Sequence, residues 1–145
     1  MIQHSPHVHK VQYYETDQMG FAHHSNYIRW MEEARMHYLD EMDLGYREVE
    51  QMGILCPLLS TSCTFKETTT FADVLSIETR ILKYSGVRLI FGYTIRKEDG
   101  AVAAEGTTEH CFMHRDHSLI RVKREFPDVH AALAAALERD AAKQD

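Results

Sequence analysis

The sequence lacks any apolar run of roughly 18 residues or more, the length a membrane-crossing helix needs. Its longest apolar stretch, Ala131 to Leu137, is far too short to span a bilayer, so membrane insertion is not expected. The opening segment, MIQHSPHVHK, holds no apolar signal core, so export is not expected either. Cysteine is scarce. Cys56, Cys63 and Cys111 are odd in number, and no C-x-x-C occurs. Reduced thiols in a cytoplasmic protein are the simplest expectation. Positive charge is also short: 16 Lys and Arg stand against 22 Asp and Glu, a net charge of −6. Without a basic stripe, neither nucleic acid nor an anionic membrane is an expected partner. Ten histidines move the net charge toward zero near pH ~6.5, so solubility is expected to fall in mild acid.

Internal repeats, low-complexity segments and linkers are absent too, and residues 1–145 read as a single domain. A composition of 44% hydrophobic and 26% charged residues excludes a disordered chain, a collagen-like fibre and a coiled coil. A chain of this size buries about two-thirds of its unfolded surface.

What is present is a clear change of period. Residues 8–14 alternate as a strand, with Val11 and Tyr13 on one face. Residues 15–24 show no period and read as a loop. From Ser25, the residues Tyr27, Met31, Ala34, Tyr38 and Met42 recur at helical spacing, with Ser25 or His24 at the N-cap and Gly45 as the stop. Alternation then returns over 58–66, 74–84, 88–96 and 101–114, with a short strand expected at 119–123. Ser85-Gly86 and Glu98-Asp99-Gly100 supply hairpin turns. Phe126-Pro127 opens an Ala-rich C-terminal helix. Consecutive strands on short turns imply an antiparallel sheet, and one helix packed on it gives an α+β domain. The long helix is apolar around more than half its circumference, which a sheet curved around it would explain.

The chemistry concentrates in residues 13–35. Tyr14, Asp17, Gly20, His24, Tyr27, Glu32, Ala34 and Arg35 form a pattern that resembles the hotdog-fold acyl-CoA thioesterases. It is most similar to the 4-hydroxybenzoyl-CoA thioesterase type and to the bacterial acyl-CoA thioesterases linked to the Tol–Pal envelope system. The stretch Phe71-Ala72-Asp73-Val74-Leu75 resembles the same family. The resemblance implies a hotdog fold, an antiparallel sheet around one long helix. It also implies hydrolysis of acyl-CoA to a carboxylic acid and CoA by a homodimer or homotetramer. No cofactor is implied beyond the CoA of the substrate.

The residue types suit that reaction. A thiolate with a pKa near ~8.5 leaves with little proton donation. The demanding tasks are activating a nucleophile and holding an oxyanion. Asp17 can act as general base on water or attack directly. The helix start near His24 offers backbone N–H groups that have no intrahelical partner and carry positive potential. Tyr14 can position the carboxylate or line the acyl pocket. Gly20, His23 and Asn26 are substrate-side candidates. Met19, Phe21, Trp30 and Leu58 are the expected acyl-pocket lining. Glu32 and Arg35, three apart on the helix, are expected to pair.

Other groups read as structural. His110, His114 and His117 suggest a strand end more than a metal site. His4, His7 and His9 read as a mobile polar N-terminus. Cys63 and Cys111 read as core residues in strands. Arg115, Arg121, Lys123 and Arg124, with Lys83 and Arg88 beside the Ser85-Gly86 turn, form sparse basic clusters. Two alternatives stay open: a thioesterase acting on acyl-carrier protein, and a non-catalytic acyl-CoA-binding module.

Overall fold

In the computed structural model, which describes residues 4–143, five antiparallel strands form one sheet in the order β1-β3-β4-β5-β2. They are β1 (His7–Lys10), β2 (Leu58–Phe65), β3 (Val74–Tyr84), β4 (Arg88–Arg96) and β5 (Val102–Cys111). The central helix α1 spans Ser25–Asp40. Three further helices are α2 (Tyr46–Gln51), α3 (Val122–Glu125) and α4 (Pro127–Ala142). No helix among the described residues is long and apolar enough to cross a membrane.

The helix and the four later strands lie where the two periodicities placed them. Tyr27, Met31, Ala34 and Tyr38 are buried on α1, and Met42 just past its end is buried with them. They meet Leu75, Ile77, Ile81, Phe91, Tyr93 and Ile95 from the sheet. The helix approaches β5 closely at Gly106. A Cβ there would sit 2.5 Å from Met31 Sδ and 2.7 Å from the Ser62 carbonyl oxygen, so only glycine fits. β3, β4 and β5 are each bonded on both sides, whereas β1 and β2 are the sheet's edges.

Several expectations need correction. The first strand ends at Lys10, not at Tyr14, because Gln12–Glu15 closes on itself. The Glu15 carboxylate accepts the Gln12 N–H at 2.8 Å, and Tyr13–Glu15 forms a 3-10 turn. Val11 is fully buried while Tyr13 is 76% exposed, so the two do not share a face. His24 is the N-cap of α1, and Ser25 is already helical. The helix ends at Asp40. Gly45 does not stop it but caps α2, an element the period did not reveal. The strand expected at 119–123 is a single bridge at Leu119 followed by α3. Nor do Glu32 and Arg35 pair. Glu32 faces solvent, whereas Arg35 turns inward to donate to Tyr93 Oη at 3.2 Å. The N-terminal histidines are packed: His4 stacks on Tyr38 at 3.8 Å, and His9 lies 4.9 Å from the Trp30 ring.

Candidate active site

The loop between the 3-10 turn and α1 is held by its own backbone. The Asp17 N–H donates to Phe21 O at 2.9 Å, and the Gly20 N–H donates to Asp17 O at 3.0 Å. Gly20 makes this turn with φ +84°, a conformation that favours glycine. An isolated bridge joins Thr16 to Ala22, and another ties Phe21 to Thr70 ahead of β3. Asp17 is half-buried. Its Oδ1 accepts the Met19 N–H at 2.8 Å, and its Oδ2 has no partner among the described residues. One carboxylate oxygen is therefore fixed and the other is available.

Glu15 anchors the loop from behind. It is 7% exposed, and it accepts from the Trp30 indole at 2.7 Å and from His9 Nε2 at 2.8 Å, besides the Gln12 N–H. Burial works to raise its pKa, but these three hydrogen bonds outweigh burial and keep it below the usual carboxylate range. The Glu15 carbonyl accepts the His23 N–H and Asn26 Nδ2, both at 2.8 Å. Asn26 is accordingly a buried fastener between loop and helix. Glu15 was missed in the sequence because, beyond the nearby Gln12 N–H, its partners His9 and Trp30 come from β1 and α1.

At the helix start, the His24 N–H has no acceptor among the described residues. The next amide, Ser25 N–H, donates to His23 Nδ1 at 3.2 Å. Of the two adjacent histidines, His24 holds the N-cap position while the His23 ring engages Ser25, the first helical residue. The exposed His24 ring lies 4.0 Å from that of His23.

Asp17 and His24 line one open groove of about 290 Å³, together with Met19, Phe21, Tyr27 and Phe65. Lys66, Glu67 and Thr68 complete it. This segment at the end of β2 carried no signal in the sequence, since it is brought to the loop only by sheet pairing. Tyr14 is 82% exposed in the 3-10 turn and does not line the groove. Nor do Trp30, which is wholly buried, or Leu58, which is exposed at the far end of β2. Gly20 shapes the turn with open space around it.

An Asp17 carboxylate oxygen without a partner among the described residues and the N-terminus of α1 thus share one groove, an arrangement that acyl transfer could use. Residues 11–137 match the family described as the thioesterase-like superfamily. The chain belongs to that superfamily. Among solved structures, it is 32% identical to the DHNA-CoA thioesterase of Staphylococcus aureus. That match has a TM-score of 0.86 and covers 90% of this chain and 89% of the other. It is 27% identical to the gentisyl-coenzyme A thioesterase BH1999, with a TM-score of 0.74 over 79% of this chain and 92% of that one. The Bacillus subtilis (strain 168) protein YneP, provisionally named an acyl-CoA thioesterase, is 31% identical over 88% of this chain and 93% of its own. The protein is thus a thioesterase, and its antiparallel sheet around α1 is the hotdog fold.

The three histidines at the end of β5 separate in this thioesterase. His110 is buried, with Nε2 2.9 Å from Thr108 Oγ1, while His114 pairs with Glu125 at 2.8 Å. Burial, aided by the Arg35 charge, lowers the His110 pKa to about 4. The ring is neutral and belongs to the core. Cys63 is partly buried in β2 and Cys111 is buried in β5, while Cys56 is exposed; all three are free thiols.

Proposed function

We propose that residues 1–145 act as one catalytic domain that hydrolyses acyl-CoA thioesters to the acid and free CoA. The observation that carries this is the shared groove of Asp17 and the α1 N-terminus. The thioester carbonyl oxygen sits against the His24 N–H. Asp17 Oδ2 takes a proton from water, and the resulting hydroxide adds to the carbonyl carbon. The tetrahedral intermediate then expels CoA as its thiolate, which takes up the proton from Asp17. In the other route, Asp17 attacks the carbonyl itself, CoA thiolate leaves, and water opens the mixed anhydride. Met19, Phe21 and Tyr27 supply the apolar wall for the acyl group. The His24 ring contacts the thioester side of the groove, and Tyr14, exposed in the preceding 3-10 turn, meets the CoA arm outside the groove. His23, Asn26 and Gly20 act by shaping the helix start and turn. The reaction needs no cofactor beyond the CoA of the substrate.

The active unit is a homo-oligomer. β2 is an eight-residue edge that exposes Leu58, Leu59 and Phe65, and a bare edge of this kind pairs readily with another strand. The basic residues also argue for a second copy. Arg121, Lys123 and Arg124 meet the Ser85-Gly86 turn around one surface cavity, and the Val122 N–H donates to Gly86 O at 3.0 Å. That turn lies at the opposite end of β3 from the Asp17 loop, roughly 35 Å along an 11-residue strand. A phosphate arm reaching this cluster would start from a partner's groove. Free thiols agree with a cytoplasmic setting.

Single-turnover release of free thiol from a panel of acyl-CoA esters tests the reading, with the same acyl groups on carrier protein beside it. Bound but uncleaved ester would support the binding-module alternative. In ¹⁸O-labelled water, label found in Asp17 marks an anhydride opened at the Asp17 carbonyl, whereas label confined to the product acid is common to the general base and to an anhydride opened at the acyl carbon.

A further inference from the structure

The N-terminal strand carries a second cluster of chemistry that thioester hydrolysis does not use. His7 and His9 alternate along β1, so both project to one side, toward α1. Their rings lie beside two helix residues a turn apart on either side of Glu33: His9 by Trp30 and His7 by His37. Glu33 rises from α1 between them. One donor atom each from His7, His9 and Glu33 lies within 4.8 Å of the others.

Three details say what this arrangement fits. Glu15 already collects donors from Gln12 N–H and the Trp30 indole, so its contact with His9 Nε2 at 2.8 Å is a third donor, the Nε2–H. With Nε2–H turned to Glu15, a neutral ring presents its Nδ1 lone pair, and Nδ1 lies 3.7 Å from Glu33 Oε2. That separation is too long for a hydrogen bond. It is close to the roughly 3.3–3.5 Å between ligand atoms held about 2.0–2.1 Å from one tetrahedral ion. A carboxylate–histidine–ion relay is the usual second-sphere arrangement at such sites. Finally, His7 Nε2 is buried without any hydrogen-bond partner among the described residues, an unsatisfied group that itself calls for an ion or water. Beside these groups runs an open surface groove lined by Glu32, Met36, His37 and Asp40, which leaves room for water as a fourth ligand.

We propose that His7, His9 and Glu33 bind a divalent transition-metal ion of the Zn²⁺ class, clamping the edge strand β1 to α1. Two imidazoles and one carboxylate select such an ion over the hard cations Mg²⁺ and Ca²⁺, which take all-oxygen shells. The clamp is structural. Through the His9–Glu15 contact it stiffens the segment on which the Asp17 loop is built.

The test uses the full chain without a polyhistidine tag, stripped with chelator and titrated with Zn²⁺ by calorimetry and with Co²⁺ by absorption. One ion per chain should bind at micromolar Kd or tighter. Co²⁺ should give the visible bands of a four- or five-coordinate nitrogen–oxygen site without thiolate charge transfer. Zn²⁺ at a hundredfold excess over Kd should raise the melting temperature. Glu33→Gln lies on the exposed face of α1 and should keep the fold, yet weaken Zn²⁺ at least about tenfold. His7→Ala should do the same, and Cys56→Ser should not. Wild-type affinity in Glu33→Gln, or no saturable binding below about 100 μM in the parent, would overturn the site. In that event the cluster is ordinary packing of β1 against α1. Thiol release in the chelator-treated protein keeps the outcome separate from that of the hydrolase reading.

Discussion

The two edges of the sheet are finished in different ways. β1 is four residues long, and its histidines pack against α1 and Glu15. β2 is eight residues long, almost wholly exposed, and lined with Leu58, Leu59 and Phe65. The closed edge holds the Asp17 loop from behind through Glu15. The open edge ends at Phe65 to Thr68, which form one wall of the groove in front of Asp17. The proposed chemistry therefore lies beside the open edge, while its support comes from the closed one.

The largest effect should come from Asp17→Asn. The side chain is on a loop, and the neutral amide keeps an oxygen for the Met19 N–H, so melting should change little. Turnover should fall at least about a hundredfold, the scale of a lost catalytic base. Rates like those of the parent protein would move the chemistry away from the open edge altogether.

Next in size is the pH dependence of stability set by His110, which lies in β5 beneath the open edge, opposite Leu58. Its pKa is held down at about 4 in the folded state, against about 6.5 unfolded. As pH falls below ~6.5, the unfolded chain takes up a proton that the folded chain refuses, so stability is lost on acidification and flat above neutrality. From pH 7 to 5 the loss from this one ring is about 2 kcal/mol. His4 and His7, lowered chiefly by burial, add in the same direction. Urea melts of the parent protein and of His110→Gln should therefore differ in slope over that range. Parallel curves would mean that the ring is not buried neutral.

The open edge itself is tested by Leu59→Asp with Phe65→Asp. Charges on an edge strand oppose strand pairing. Light scattering should report dissociation toward a monomer, and activity at low protein concentration should drop about tenfold or more, with helicity retained. A monomer with full activity would show that one subunit builds the whole site. The equivalent change on the closed edge, Lys10→Asp, should leave the oligomer unchanged.

Much of this comparison was legible in the sequence, and the rest was not for definite reasons. β3 to β5 and α1 announce themselves because each carries buried residues, and burial imposes a period of two or of 3.6, whereas β2 alternates in sequence although nearly all of it is exposed. Asp17 and His24 came forward through the motif that resembles the thioesterases, and both line one groove. The closed edge was misread. A period of two continues through Gln12 to Tyr14, yet the Gln12–Glu15 hydrogen bond turns the chain there. The histidines of β1 look like a polar tail, since nothing nearby in sequence reveals that Trp30, Glu33 and His37 will cover them. Gly45 ends one helix pattern and begins another, and a stop and a cap use the same residue. Lys66 to Thr68 enter the groove only through the pairing of β2 with β5, a contact some forty residues long-range.

Arg35 is the control that lies on neither edge, and its expected effect is the smallest. Its guanidinium has no carboxylate partner among the described residues and donates to Tyr93 Oη, while its charge helps hold the His110 ring neutral. Arg35→Met keeps an apolar stem beside Leu39 and Cys56 but loses one hydrogen bond. The lost bond costs about 1 kcal/mol, offset in part by removing an unpaired charge from the interior. At pH 7 the melting temperature should fall by only a few degrees, and turnover should stay within about threefold of the parent's. At pH 5 the two proteins should converge, because His110 without its cationic neighbour accepts a proton more readily in the folded state. The pH slope of the variant is then shallower. If Arg35→Met melts normally and is inactive, the guanidinium belongs to the chemistry, and the division between a supporting core and a catalytic open edge fails at that residue.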